Sequence, residues 1–306
     1  MRGKGYAIPP KSALNLQRRH MRTETLPELA LRYLVCPSCH GPFTQEDMAF
    51  LRCAACGFFG RIADGVAVMM ERAAPTYFDD RHKVMSEGKH DAATWSIFYE
   101  SQARRVKECI KADSIVLDVG CGPGIPYERV VDFLLIGMDP SYESIRANAA
   151  VDIPVYGQSD ALPLPARSID VILCFYSIHH MTGETLFENF MKVDGAFREF
   201  SRVIRPGGSV MVFDLSPWWP WAILGNAIWN LARRTIGAKL DMYFWRDSAL
   251  KRLGQSLFRG ATFHIETFRN PLHTTFPPIF SLPALKIPRV LYPFDINLYQ
   301  WDFPAA

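Results

Sequence analysis

Four cysteines near the amino end of the chain have the spacing of a metal site. Cys36 and Cys39 form one Cys-x-x-Cys pair, and Cys53 and Cys56 form a second pair after thirteen intervening residues. Each pair can direct two thiolates at one centre, and four thiolates complete the tetrahedral shell of a structural zinc ion. We therefore predict one zinc ion held by these cysteines, with His40 as a bystander. Two disulfides and a redox-active pair are the alternatives.

A glycine-rich turn follows the apolar run that starts at Ser114, in the motif VLDVGCGPG. Its glycines, Gly120, Gly122 and Gly124, depart from the Gly-x-Gly-x-x-Gly spacing of dinucleotide sites. Glycine lets the backbone approach a ligand without side-chain collision. Asp118 precedes the first glycine, where a carboxylate would repel a pyrophosphate but attract an ammonium group. The motif therefore favours S-adenosylmethionine (SAM), which carries an ammonium and a sulfonium, over a dinucleotide.

Two aspartates further along fit the rest of that cofactor. Asp139 ends the second predicted strand, about twenty residues after the turn, where an acid can bind a ribose diol. Asp160 follows the third predicted strand and is expected to accept from the adenine amino group, with the Ala161 amide donating to the ring. The alternatives are a surface aspartate that starts a helix at 139 and a plain loop aspartate at 160.

Two adjacent histidines, His179 and His180, follow the fourth predicted strand, where a methyl acceptor would approach the cofactor. Imidazole titrates near neutral pH, so either residue is a candidate general base. A base is needed only when the nucleophile is a poorly acidic hydroxyl or carbon acid. The alternative is that both histidines cap the strand and pack beneath a lid.

Alternating strand and helix patterns must position these residues. The segments FLLIGMD, IPVYG, SIDVILCFYS and GGSVMVFDLS are apolar or extended, and SYESIRANAA and GAFREFSRVI between them are helical. This alternation predicts an α/β fold with a doubly wound, mostly parallel sheet. We expect a seven-stranded Rossmann-like sheet, preceded by a small zinc-ribbon domain.

A tryptophan-rich segment follows the fifth predicted strand. Residues 217–254 are predicted to form a lid that buries an apolar acceptor. A pair of core-packing helices is one alternative. Another is an interfacial helix with tryptophans at the lipid headgroups and Arg233 and Arg234 beside phosphates. The segment holds five of the seven tryptophans in the chain: Trp218, Trp219, Trp221, Trp229 and Trp245.

Composition sets broad limits on function. The 306 residues are 49% hydrophobic, and the formal charge of +3 is too small to indicate a nucleic-acid partner. Unpaired cysteines outside the two motifs favour a reducing cytoplasm. No secretory signal and no run of about twenty apolar residues is evident. Six basic residues precede Glu24, which indicates a solvated tail or an arm for phosphate or an anionic membrane.

The cysteine segment resembles a known family. The motifs CPSCHGPF, CAACG and RIADGVAVMM, over Leu29–Met70, are similar to Trm112-like zinc ribbons. The sequence departs from that family where Phe59-Gly60-Arg61 replaces a Tyr-Pro pair. Such ribbons accompany or activate methyltransferases, so the resemblance implies a methyltransferase downstream.

The larger segment resembles a second family. VLDVGCGPG, IGMDPS, GQSDALPLPARSIDVILCFYSIHHM and REFSRVIRPGG are similar to class I SAM-dependent methyltransferases of the UbiE-like kind, methyltransferase type 11. The resemblance implies cofactor contacts at Asp118, Gly120, Asp139 and Asp160, and it extends them to Pro140 and Phe175. His180 aligns with a histidine of that family, which favours it over His179. Strand four lacks the Asp/Asn-Pro-Pro-Tyr/Phe motif, which counts against methylation of nucleic-acid amines.

Together the motifs predict a SAM-dependent methyltransferase acting on oxygen or carbon of an apolar small molecule. The predicted units are a basic tail (1–25), the zinc ribbon (26–74) and the methyltransferase domain (75–306). We expect a cytoplasmic protein with possible peripheral membrane contact through the tryptophan-rich segment. The alternative is an RNA methyltransferase that uses the ribbon for recognition. A non-catalytic scaffold that binds the cofactor is a further alternative.

Overall fold

The computed structural model describes residues 25–47, 49–71, 92–237, 240–269, 274–275, 287–288 and 293–305. The predicted tail over 1–25, apart from Thr25, lies outside these residues. The predicted boundary after residue 74 lies outside them as well.

A short helix and four antiparallel strands form the cysteine-containing unit, which we call the ribbon. Helix α1 (Leu26–Tyr33) begins where the Thr25 backbone amide donates to the Glu28 carboxylate at 2.6 Å. This contact satisfies one of the amides that a helix start leaves unpaired. The strands follow as a meander: β1 (Phe43–Asp47), β2 (Phe50–Cys53), β3 (Phe59–Ala63) and β4 (Val66–Val68).

The rest of the chain alternates strands with helices before it ends in antiparallel strands. The strands are β5 (Ile115–Val119), β6 (Leu134–Asp139), β7 (Ile153–Tyr156), β8 (Ile169–Phe175), β9 (Ile204–Pro217), β10 (Thr262–Phe268), β11 (Thr274–Thr275), β12 (Ile287–Pro288) and β13 (Phe294–Asp302). The helices are α2 (Ala92–Cys109), α3 (Tyr142–Ala147), α4 (Leu186–Val203), α5 (Trp219–Ile236) and α6 (Asp247–Leu257), with a 3₁₀ turn at Ile178–His180.

One sheet runs through both units of the described chain. Its order is β1-β2-β3-β4-β7-β6-β5-β8-β9-β13-β10. The ribbon joins it through parallel pairing of β4 with β7, where Ala67 lies opposite Val155 and Val68 opposite Tyr156. The predicted α/β class is confirmed. The sheet described here has eleven strands, of which four belong to the ribbon and seven to the rest of the chain.

Two hydrophobic clusters cover opposite faces of this sheet. The first includes Leu117 of β5 and Phe197 of α4, and the second includes Val116 of β5 and Val106 of α2. Neighbouring strand residues point to opposite faces, so helices pack on both sides of the sheet. Leu51 of β2 belongs to the first cluster, so the ribbon and the larger unit share one core.

The central strands bring the predicted site residues to one edge. Strands β7, β6, β5, β8 and β9 are parallel neighbours. Their carboxyl ends therefore meet at one side of the sheet, where ligands of open α/β sheets bind. Gly120, Asp139, His179 and Asp214 all lie at or just beyond these strand ends.

Candidate active site

The glycine turn lies directly against the end of β8. Gly120 and Gly122 have φ values of +69° and +58°, in the left-handed region that favours glycine. A Cβ added at Gly120 would lie 2.4 Å from Cβ of Ser177, so the close approach of the two segments requires glycine there. At Gly122 and Gly124 an added Cβ would meet no described atom within 4 Å. The turn therefore leaves open space above its last two glycines, as a ligand cradle does.

Asp118 is a buried carboxylate with one unsatisfied oxygen. Its Oδ2 accepts a hydrogen bond from the Tyr127 hydroxyl at 2.8 Å, and its Oδ1 has no partner among the described residues. The pKa of Asp118 is raised to about 7: burial is the main cause, the Tyr127 hydrogen bond lowers the pKa, and the charge of Asp139 raises it. An unpaired buried carboxylate oxygen is costly, and a cationic ligand group would satisfy it. These residues fit the ammonium end of SAM.

Asp139 is tied to the same turn. Its Oδ2 accepts from the Gly122 amide at 2.8 Å, and its Oδ1 accepts from the Ser141 amide at 2.8 Å. Ser141 caps α3, so the aspartate links the glycine turn to the start of that helix. Pro140 between them is exposed.

Asp160, Ala161 and Phe175 have different surroundings. Phe175 stacks on Phe213 with ring centroids 4.2 Å apart. The ring centroid of Tyr127, whose hydroxyl donates to Asp118, lies 5.8 Å from that of Phe175. Asp160 is exposed, with its Cβ close to Gly195 of α4. The Ala161 amide donates to the Gln158 carbonyl at 3.2 Å within a turn. The expected adenine contacts of Asp160 and Ala161 stay predictions.

His179 forms a buried pair with Asp214, a residue that the sequence did not predict to be part of the site. Its Nδ1 lies 2.6 Å from Oδ1 of Asp214, near the end of β9, and both side chains are almost fully buried. An ionised carboxylate only accepts, so Nδ1 carries the proton and Nε2 is the basic nitrogen. Asp214 also accepts from the His179 backbone amide at 3.2 Å, which fixes the residue in place.

His180 has a weaker environment for a base. Its Nδ1 lies 3.2 Å from the Asp241 backbone carbonyl and 3.9 Å from the Asp241 carboxylate. The two histidine rings are 4.2 Å apart, and Phe244 lies 5.0 Å from the His179 ring. The contacts therefore favour His179, whereas the sequence favours His180.

Comparison with known proteins identifies the centre of the chain. A family model described as a methyltransferase domain matches residues 117–212, which hold the glycine turn, Asp139 and His179. The match covers less than half of the chain, and we use the name methyltransferase domain for the part of the chain that contains it.

Two curated relatives match the methyltransferase domain. The chain is 32% identical over 117 residues to 27-O-demethylrifamycin SV methyltransferase of Amycolatopsis mediterranei (strain S699), which is 34% of this chain and 40% of that protein. It is 27% identical over 165 residues to the ubiquinone/menaquinone biosynthesis C-methyltransferase UbiE of Hahella chejuensis (strain KCTC 2396), 49% of this chain and 59% of that protein. The chain thus covers about half the length of these relatives.

A solved structure is similar in fold. It is a complex between the Haloferax volcanii Trm112 methyltransferase activator and the putative methyltransferase. The TM-score is 0.54 at 16% identity, and the match covers 76% of this chain and 100% of the compared chain. At this identity the likeness concerns the fold alone.

The four cysteines converge beside the methyltransferase domain. Their sulfur atoms all lie within 4.8 Å of one another, and the described chain has no other such cluster of possible metal ligands. Cys36 and Cys56 are 3.5 Å apart, and Cys39 and Cys53 are 3.4 Å apart, all as free thiols. Zinc–sulfur bonds of about 2.3 Å in a tetrahedron place the sulfurs about 3.8 Å apart, so a small expansion would fit the ion.

The ribbon contacts the methyltransferase domain close to the glycine turn. The Tyr142 hydroxyl, at the start of α3, donates to Oδ2 of Asp64 at 3.0 Å and lies 3.3 Å from the Ala63 carbonyl. Tyr142 comes three residues after Asp139. The turn between β3 and β4 therefore supports the helix whose capping residue, Ser141, donates to Asp139.

The tryptophan-rich segment contacts the methyltransferase domain with only part of its aromatic surface. Trp218, Trp219 and Trp221 are 43%, 63% and 49% exposed, and the acceptor lid expected over residues 217–254 stays a prediction. The inward stripe of α5 contains Ala222 and Trp229 instead, and this fixes the rotation of the helix. Of the helices in the described ranges, not one combines the length and hydrophobicity needed to span a bilayer.

The connection between α5 and α6 covers the histidines. The Tyr243 amide donates to the His179 carbonyl at 2.8 Å, and Trp229 and Trp245 pack against the Tyr243 ring at 5.2 and 4.8 Å. Asp214, Tyr127 and Tyr243 were not singled out from sequence. An acid at the end of a parallel strand was the available signal for Asp214.

Proposed function

We propose that this chain is an enzyme that transfers the methyl group of SAM to an oxygen or carbon atom of an apolar small molecule. The His179–Asp214 pair, at the carboxyl ends of β8 and β9, carries this proposal. A buried histidine held by a carboxylate is an arrangement for removing a proton, which hydroxyl and carbon acceptors require. The aromatic side chains around Tyr243 favour an apolar acceptor over a polar one.

Each residue then has a defined part in the reaction. Bound SAM supplies an electrophilic methyl group on a sulfonium. When the acceptor atom takes this methyl group, Nε2 of His179 would take the proton that the acceptor loses. Asp214 keeps the imidazole oriented and stabilises the imidazolium that forms. Phe244 lies against His179 and helps to exclude water.

We further propose that Cys36, Cys39, Cys53 and Cys56 hold a structural zinc ion. The four sulfurs already converge, and four thiolates leave no open position for catalysis. The ion would stabilise the ribbon rather than take part in methyl transfer. A membrane surface, contacted through the tryptophan-rich segment, is a second proposed partner beside the acceptor.

Turnover tests the acceptor class directly. The purified chain is incubated with methyl-labelled SAM and either a lipid and quinone extract or total RNA. We expect label in the organic phase with the first acceptor mixture. Label that enters RNA, or no transfer to either mixture, would contradict the proposed acceptor.

Asp139 is expected to hold the ribose of SAM. Replacing Asp139 by Ala should weaken SAM binding about ten- to a hundredfold, because a charge-assisted hydrogen bond contributes about 1.5–3 kcal/mol. Titration calorimetry measures this, with Asp132→Ala at an exposed position as the control. Asp139 also accepts hydrogen bonds from backbone amides, so a 2′-deoxy analogue of SAM is needed to isolate the ribose contact. Wild type should bind the analogue more weakly than SAM, and the difference between the two ligands should be smaller in Asp139→Ala. Equal loss of analogue affinity in both proteins would exclude the ribose contact.

Asp118 is expected to make SAM binding dependent on pH. The ammonium group binds the ionised carboxylate, and the pKa of Asp118 is about 7. Affinity should therefore be highest above pH 7 and fall as pH decreases through that value, approaching about tenfold per pH unit. Tyr127→Phe removes the hydrogen bond that lowers the pKa, so the midpoint should move to higher pH. Calorimetry across this range checks both statements, and a flat profile in the wild type would disprove the contact.

A further inference from the structure

Exposed hydrophobic side chains concentrate in one region of the protein. Eleven of the fifteen exposed large hydrophobic residues in the described part of the chain belong to two short segments. A surface this apolar is uncommon on a soluble protein without a binding function. The eleven are Phe187, Phe190, Met191, Trp218, Trp219, Trp221, Ile223, Leu224, Ile228, Leu231 and Ile236.

Helix α5 presents a hydrophobic face outward. Trp221, Leu224, Ile228 and Leu231 recur at helical spacing and are all exposed, with Leu231 at 67%. The opposite stripe of the helix, with Trp229, packs on the protein body. The helix is therefore apolar on both sides, and only one side is covered by described residues.

The start of α4 extends this face. The Leu186 amide donates to Oδ1 of Asn230 at 3.1 Å, and Arg233 pairs with Glu184 at 3.0 Å. These contacts place the first turns of α4 beside α5. Phe187, which is 71% exposed, adds the most exposed aromatic ring in the described chain. We define Phe187, Phe190 and Met191 together with the outward stripe of α5 (Trp221, Leu224, Ile228 and Leu231) as the α4–α5 face.

The charges of α5 indicate what covers this face. The helix contains no acidic residue, and its two charged residues are Arg233 and Arg234 in the last turn. Arg233 is 11% exposed and pairs with Glu184, so the exposed Arg234 is the cation of this helix that can meet a headgroup. Exposed tryptophans lie at its other end, and aliphatic residues lie between. Tryptophan, leucine and arginine in this arrangement are typical of a helix that lies in the plane of a membrane. A protein partner would not require this lack of acidic side chains on α5, whereas anionic lipid headgroups favour it. The exposed acids beside the face, Glu184 and Glu188, lie at the start of α4.

We propose that the α4–α5 face docks on an anionic phospholipid bilayer, with the axis of α5 parallel to the surface. The other side of α5 connects to the active site, because the Asn226 side chain contacts the Tyr243 hydroxyl and the Tyr243 amide contacts His179. In the docked protein, helix α5 alone would separate His179 from the lipid. A lipid-soluble acceptor can then enter from the bilayer, and this last step rests on the proposed function.

Vesicle binding by the full chain tests the proposal. Wild type should sediment with phosphatidylcholine vesicles that contain an anionic phospholipid, and less with phosphatidylcholine alone. Leu231→Glu should weaken binding at least about tenfold, because it removes an apolar side chain that the bilayer would bury and adds a negative charge. Ile265→Glu, at a 45% exposed position on β10, is the matched control and should bind like wild type. Arg234→Gln should weaken binding to anionic vesicles about fivefold without affecting neutral ones.

The following results would contradict docking of the α4–α5 face on a membrane. No sedimentation of wild type with either vesicle would exclude it, and so would wild-type binding by Leu231→Glu. A dimer in light scattering that Leu231→Glu dissociates would assign the face to a second copy of the chain. Turnover of a detergent-solubilised acceptor separates the two proposals. If it persists while vesicle binding fails, only the docking face is wrong, and the reverse result contradicts the proposed function.

Discussion

Replacing His179 by Ala should lower kcat by about 10²–10⁴-fold and leave the SAM dissociation constant nearly unchanged. A positioned general base contributes about this factor, and His179 is the histidine held by a buried carboxylate. Asp214→Asn should also lower kcat, since an amide does not orient or stabilise the imidazolium in the same way. Label transfer to the lipid extract gives kcat, and calorimetry gives SAM affinity.

Two controls make the assignment specific. His180→Ala should have a smaller effect, because His180 contacts a backbone carbonyl and a distant carboxylate. His264→Ala changes an exposed histidine on β10 and should have none. If His180→Ala abolishes turnover and His179→Ala does not, the base is His180, as the sequence favours.

Removing the zinc ion should destabilise the whole described sheet. Structural zinc contributes about 10–16 kcal/mol to the folding of small zinc domains. Here the ribbon covers strand β7, and Ala67 at that junction is fully buried. Cys36→Ser or strong chelation should therefore lower the melting temperature by at least about 10 °C, since about 1 kcal/mol corresponds to 2–4 °C in a domain of this size. SAM affinity should fall as well, because Tyr142 loses its contacts with Asp64 and Ala63.

Metal analysis and thermal melting measure these effects together. Wild type should contain one zinc ion per chain. Cys109→Ser, in α2 and outside the cluster, should retain both the metal and the melting temperature of wild type. A purified protein with four free thiols, no zinc and an unchanged melting temperature would exclude a structural metal site.

Local signals in the sequence predict much of the fold and of the site. Cys36 and Cys39 belong to one Cys-x-x-Cys motif, and Asp118 and Gly120 belong to one turn. No information about distant parts of the chain is needed to group the residues of each pair. The pairing of β4 with β7 was not predictable in this way. Three apolar residues at Val66–Val68 do not specify which edge they join.

The histidine assignment and the rotation of α5 required the structure. His179 and Asp214 are 35 residues apart, and their pairing depends on the adjacency of β8 and β9. Helix α5 has apolar residues all around, so periodicity does not reveal which stripe faces the protein. Packing of Trp229 on Tyr243 decides it and leaves Trp219 and Trp221 outside.

The pairing of β4 with β7 is an intramolecular event, because both strands belong to the same polypeptide. About 85 residues separate them, and the entropy of closing so long a loop rises only with the logarithm of its length. A cover supplied by a second polypeptide would dissociate on dilution, whereas a tethered one acts at an effective concentration of about millimolar. The backbone groups at the edge of β7 therefore stay paired with β4 even at low protein concentration. They do not become a template for aggregation with other chains.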